Sequence, residues 1–115
     1  MLIISQNKRM IVNFDNICTV SAFPEKDSED VYVEDGTGSL MVGRYSTKAK
    51  AMEVLDMIQE AYAEYKITCT FLTGFTGHRA IVESNDICVN GFKELAEGFK
   101  KNMVFQMPED SEVEV

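Results

Sequence analysis

The chain has 115 residues, 45% of them hydrophobic, enough for one domain with a packed core and too few for two ordinary domains. Eleven basic residues stand against 19 acidic ones, for a formal net charge of −8, which opposes general binding to nucleic acid or to an anionic membrane. Cys18, Cys69 and Cys88 are widely spaced, odd in number and without a CxxC pair, so neither a disulfide framework nor a zinc site is indicated and buried thiols in a reducing cytoplasm are expected.

The opening MLIIS is too short an apolar run for a signal peptide and is followed by Lys8 and Arg9. No apolar stretch near ~18 residues follows, and the expected location is the cytoplasm. From Leu2 to Tyr45, short β-type runs alternate with turn residues: LIIS, the turn QNKR, MIVNF, ICTVSAF, a charged loop PEKDSED, VYVE, the turn DGTG and SLMVGRY. That spacing predicts a meander of antiparallel strands. Asp35-Gly36-Thr37-Gly38 is the firmest hairpin signal, because Asp-Gly supplies the positive φ of a tight turn, and Pro24 is expected to end its strand.

After Tyr45 the hydrophobic period changes from two to about 3.6. Ser46 or Thr47 can cap a helix of about 18 residues. Ala51, Met52, Leu55, Ile58 and Tyr62 form its apolar stripe, while Glu53, Asp56, Glu60 and Glu64 lie mostly off it. Met52 and Met57 are expected as core filler. ITCTFL then alternates like a strand, TGFTGHR forms a glycine-containing loop, and RAIVE and DICV resemble further strands. Phe92, Leu95 and Phe99 are spaced for a short helix, MVFQM closes the sheet, and Pro108 stops it before the acidic tail. The fold class is therefore α+β: an antiparallel β-meander packed against one long amphipathic helix, with a second short helix near the C-terminus. Residues 1–108 make the domain and 109–115 the tail.

Catalytic signatures are missing from this pattern. The only histidine, His78, would have to serve alone in any triad, and nothing matches a nucleophile elbow, a P-loop or a calcium loop. The expectation is a protein that is not an enzyme and needs no metal or cofactor. Two segments suit an anion instead. In GRYSTKAK, Arg44, Lys48 and Lys50 gather at a helix start with the Ser46 and Thr47 hydroxyls and free backbone amides. In TGFTGHR, Phe75 could stack on a base while His78 and Arg79 donate hydrogen bonds.

The motifs SQ-x-K (Ser5, Gln6, Lys8), IVN-x-D-x-I (Ile11, Val12, Asn13, Asp15, Ile17), G-[KR]-Y (Gly43, Arg44, Tyr45) and an AKEVL-type helix (Ala51, Glu53, Val54, Leu55) occur in that order. With FQMPED near the end, the chain resembles an uncharacterised family of small phage and prophage proteins of low-GC Gram-positive bacteria. The resemblance covers about the first 65 residues and the FQMPED end; Thr73 to Lys101 has no counterpart in it. It implies a sheet-plus-helix fold and, by analogy of class, an accessory or counter-defence role in the host cytoplasm.

The leading expectation is a homo-oligomer that sequesters a small anionic nucleotide-type signal. Arg44 and Lys48 would pair with phosphate, Tyr45, Ser46 and Thr47 would complete that side, and Phe75, His78 and Arg79 would close over the ligand. The alternative is an acidic inhibitor that mimics nucleic acid and binds a basic host protein through Asp27, Glu29, Asp30, Glu34 and the tail, or a phage structural or housekeeping protein. Neither direct nucleic-acid nor membrane binding is expected.

Overall fold

The computed structural model describes residues 1–73 and 97–115. The β-rich first part forms two sheets where one meander is expected. β1 (Leu2–Ile4) pairs antiparallel with β2 (Ile11–Asn13), and its other edge takes β6 (Val104–Gln106) in parallel. The second sheet is an antiparallel meander of β3 (Thr19–Glu25), β4 (Ser28–Glu34) and β5 (Ser39–Tyr45), in that order. The turn after Ile4 closes β1 onto β2, with Lys8 at φ of 62° and the Ser5 hydroxyl accepting the Met10 amide; the break between the sheets falls after β2, where Phe14–Asn16 make a short 3-10 turn and the Asn13 side chain accepts the Asp15 amide at 3.1 Å.

Gln6 joins the two sheets. Its backbone N–H donates to the Val42 carbonyl at 2.8 Å, and its side-chain amide accepts the Arg44 N–H at 2.9 Å and donates to the Arg44 carbonyl at 3.0 Å. A side-chain amide thus supplies the donor and acceptor that a neighbouring strand would offer to the β5 edge.

The β4–β5 turn forms as expected. Gly36 has φ of +93°, a conformation open to glycine, and the Asp35 carboxylate accepts the Thr37 and Gly38 amides and the Thr37 hydroxyl. The segment PEKDSED is not a loop. β3 continues through Pro24 to Glu25, only Lys26 and Asp27 make the turn, and β4 starts at Ser28. Pro24 is tolerated because β3 is an edge strand, where a missing N–H costs no ladder bond.

The helix α1 (Lys48–Thr73) has 26 residues, about 39 Å at 1.5 Å per residue, and absorbs ITCTFL, expected as a strand. The β-branched Ile67, Thr68 and Thr70 give that segment its strand character, but propensity yields to continuation of an established helix. The Thr70 hydroxyl donates to the Lys66 carbonyl at 2.9 Å, satisfying itself within the helix. Residues 97–103 are also helical and pack on the far half of α1, where Asn102 donates to the Thr68 hydroxyl and Phe99 lies 5.7 Å from Phe71. Phe92, Leu95, RAIVE, DICV and all of TGFTGHR but Thr73 lie outside the described residues.

Helix α1 crosses β3, β4 and β5. The core joins Ile3 and Val12 of the first sheet, Val31, Val33, Val42 and Tyr45 of the second, Ala51, Val54 and Ile58 of α1, and Met107 and Val113 of the C-terminal segment. The buried stripe of α1 runs through Val54, whereas Met52, expected inside, is 45% exposed. Cys18 is exposed and Cys69 half-buried, against the expectation of buried thiols; Cys88 lies outside the described residues.

Gly43 is fixed by contact. A Cβ there would sit 3.0 Å from the Tyr45 ring and 3.2 Å from the Met107 methyl. Met107 can swing its methyl away, but the Tyr45 ring is anchored by its hydroxyl. Gly43→Ala is expected to lower stability by about 1–3 kcal/mol through overpacking, measured by urea unfolding.

Candidate functional site

The site residues expected in GRYSTKAK come from the end of β5 and the first turn of α1. On the antiparallel meander, alternate residues share a face. One face carries the cross-strand rows Val20–Val33–Leu40, Ala22–Val31–Gly43 and Pro24–Glu29–Tyr45, and it packs against α1. The outer face carries Thr19–Glu34–Ser39, Ser21–Tyr32–Met41 and Phe23–Asp30–Arg44, with Glu25–Ser28 at the end. Arg44 and Tyr45 therefore point to opposite sides of the sheet.

Arg44 grips Asp30 in a two-point ion pair, Nε to Oδ1 at 2.9 Å and Nη2 to Oδ2 at 3.1 Å. The Asp30 side chain is 1% exposed and the Arg44 side chain 60% exposed, so the guanidinium lies as a lid on a buried carboxylate. Hydrogen bonds to Asp30 and its charge raise the Arg44 pKa further above its ordinary value. Beside it, a depression of about 280 Å³ is lined by Glu25, Lys26, Asp27, Ser28 and Arg44, so two carboxylates and a second cation border it with the guanidinium.

Tyr45 lies in the core. It is fully buried, and its hydroxyl donates to the Pro108 carbonyl at 2.8 Å. Burial, then the nearby Glu109, Asp110 and Glu112 charges, push its phenol well above the ordinary range. Its expected place in a ligand site is replaced by a structural one.

Thr47 caps α1: its hydroxyl accepts the Lys50 amide at 3.2 Å and its carbonyl accepts the Ala51 amide, the arrangement expected of an N-cap residue. The Ser46 amide donates to Asp110 Oδ1 at 2.7 Å. Lys50 Nζ reaches Asp110 Oδ2 at 3.3 Å and the Asp110 carbonyl at 2.8 Å. The anion at this helix start is thus a carboxylate of the chain itself. Lys48 is exposed, and Phe75, His78 and Arg79 lie outside the described residues.

The acidic end is folded rather than trailing. Residues Asp110–Glu112 form a short 3-10 turn, the Glu109 amide donates to Glu112 Oε1 at 3.1 Å, and Val113 is buried. Among the carboxylates expected to mimic a nucleic-acid backbone, Asp30 and Glu29 are buried while Asp27 and Glu34 are exposed. Strand β4 buries the first two because PEKDSED pairs in a hairpin instead of looping into solvent.

The Asp110 carboxyl titrates below its ordinary value of 3.8, first because it accepts the Ser46 backbone N–H and then through Lys50. A depressed carboxylate contributes stability that is complete above the unfolded value and is lost as pH falls through the folded one. Thermal unfolding below pH ~4 is expected to fall less steeply in Asp110→Asn than in the wild type.

The outer face of the meander is the feature that sequence reasoning missed. Phe23 is 50% exposed and stands edge-on to Tyr32 at 6.0 Å. Met41 is exposed beside it, with Sδ 3.9 Å from Arg44 Nη2. The outward alternation Phe23, Tyr32, Met41 was readable only with the strand register in hand. Three carboxylates, Glu25, Asp30 and Glu34, and one guanidinium share this face. Among the described residues no group of His, Cys, Asp or Glu could hold a metal ion, and no helix is long and apolar enough to cross a membrane.

No protein-family model, curated protein or solved structure matches the chain.

Proposed function

We propose that this chain is a non-enzymatic binding protein that docks a basic protein partner on the outer face of its three-stranded meander. The observation that carries this reading is the apolar centre of Phe23, Tyr32 and Met41 framed by Glu25 and Glu34. An aromatic and methionine centre inside a charged rim is the anatomy of a protein–protein contact, and the acidic rim favours a Lys/Arg-rich surface. This is the acidic-inhibitor reading with its contact surface moved. The carboxylates on display are Glu25, Asp27 and Glu34, with apolar side chains between them. The prophage resemblance directs such a binder to a host protein, in an accessory or counter-defence role.

A second reading is favoured by one observation. The Ser46 amide and Lys50 Nζ hold a carboxylate at the start of α1, the position where a ligand phosphate would sit. A sequestered nucleotide-type anion would have to displace Asp110 there, with Lys48 and a second subunit completing the pocket.

Capture from a low-GC Gram-positive lysate distinguishes the readings. Immobilised wild type is expected to retain a basic protein that salt releases, and Phe23→Asp with Met41→Asp is expected to lose it. Retention of the same proteins by that double variant counts against the outer face. A rise in melting temperature with cyclic or ADP-ribose-type nucleotides would favour the second reading.

A further inference from the structure

The outward side of the first sheet is a second apolar surface, separate from the meander's outer face. The registers of β1 with β2 and β6 place Asn13–Leu2–Val104 and Ile11–Ile4–Gln106 in cross-strand rows on one side and Val12–Ile3–Phe105 on the other. Ile3 and Val12 belong to the core, so the first two rows face away from it. Ile11 is 69% exposed, Leu2 and Val104 are also exposed, and Ile4 is half-buried. A single exposed aliphatic side chain is ordinary, whereas adjoining ones mark a contact surface. The two amides in these rows turn to their own backbone: Gln106 donates to the Ser5 and Met107 carbonyls, and Asn13 accepts the Asp15 amide. Past the β2 edge, Ile11 and Leu40 line a depression of about 230 Å³. Asp35, the carboxylate in its lining, accepts the Thr37 and Gly38 amides of its own turn.

Charge selects the occupant. The two rows carry no charged side chain, and the exposed Lys8 and Arg9 stand in the turn that joins β1 to β2 at the Ile4–Ile11 end. A basic partner of the kind proposed for the meander would meet those cations with like charge, whereas a chain of net −8 would not. We infer that a second copy of this chain docks here about a two-fold axis, with Leu2, Ile4, Ile11 and Val104 of both copies between sheets ~10 Å apart. Phe23, Tyr32 and Met41 take no part in the contact, so dimerisation and partner docking fail independently.

Sedimentation velocity on the full chain tests the dimer. A contact of this size is at the small end for a specific interface, and the wild type is expected to pass from monomer to dimer with a Kd on the order of 10–100 µM. Ile11→Lys lowers the net charge and so adds no general repulsion. It is expected to weaken the dimer at least about tenfold while the protein still melts cooperatively, and Val104→Lys to do the same from a different strand. Phe23→Ser with Met41→Ser, which leaves the charge unchanged, is expected to keep the dimer. A wild type monomeric up to ~500 µM, a dimer undiminished in both lysine variants, or a dimer lost in the serine pair would each overturn the assignment. So would a monomeric chain that retains a lysate protein released by Ile11→Lys, which would give the face to that protein.

Discussion

Arg44→Ala is expected to destabilise the protein through Asp30. The Asp30 side chain is 1% exposed and, among the described residues, keeps the Ser28 hydroxyl at 3.2 Å as its one hydrogen-bond donor once the guanidinium is gone. A buried carboxylate stripped of its cation costs several kcal/mol. Because Arg44 lies open to water on its outer side, solvent reaching Asp30 recovers part of this, and a loss on the order of 2–3 kcal/mol is expected for the carboxylate. Replacing both partners, Asp30→Asn with Arg44→Met, is expected to recover more than half of the loss, since no buried charge remains. Urea unfolding of the wild type, both single variants and the pair measures the coupling. If Arg44→Ala unfolds like the wild type, Arg44 is a solvated surface cation. The cycle also bears on any ligand assay: a response lost in Arg44→Ala has a folding explanation before it has a binding one.

Tyr45 is expected to be still more sensitive. Its ring fills the space between Gly43 and Met107, and its hydroxyl fixes the C-terminal segment through Pro108. Tyr45→Phe keeps the ring and leaves the buried Pro108 carbonyl with the longer bond from Gln6 Nε2 at 3.3 Å, at an expected loss of about 1 kcal/mol. Tyr45→Ala also opens a cavity, for an expected loss of about 3–5 kcal/mol, and releases the segment that carries Asp110 to the start of α1. Denaturant unfolding of both variants separates the hydroxyl from the ring. Equal losses in the two would mean that the ring packs less tightly than the structure shows.

Both effects arise in a segment whose meaning was only half legible in the sequence. The turn at Asp35-Gly36 and a helix cap at Ser46 or Thr47 were readable because their chemistry is local: one residue's side chain closes on amides two or three positions away. The start of α1 was readable because the period of apolar residues changes there. The partners of Arg44 and Ser46 were not, because Asp30 reaches Arg44 through cross-strand register and Asp110 reaches Ser46 across 64 residues. Charge composition marked PEKDSED and PEDSEVEV as solvated runs. The fold buries two carboxylates from the first, Glu29 and Asp30, and docks Asp110 from the second, and the Asp30–Arg44 and Asp110–Lys50 pairs absorb two of the cations. ITCTFL misled for a different reason: β-branched residues favour strands on average, and here a helix already formed runs through them.

Arg44 and Lys50 are engaged with the chain's own carboxylates, Tyr45 is core, and Thr47 is a cap. Lys48 remains an exposed cation at the helix start. The surface proposed for a partner is the far side of the meander, where Phe23 and Met41 are exposed. The 15N-labelled protein, titrated in parallel with ADP-ribose and with an amphipathic Lys/Arg-rich peptide, tests this most directly by amide shift mapping. Peptide-induced shifts centred on Phe23, Tyr32 and Met41, weakening with salt, are expected, with no saturable change on adding the nucleotide; saturable nucleotide-induced shifts at Ser46, Thr47 and Lys48 with the outer face silent would contradict docking on that face.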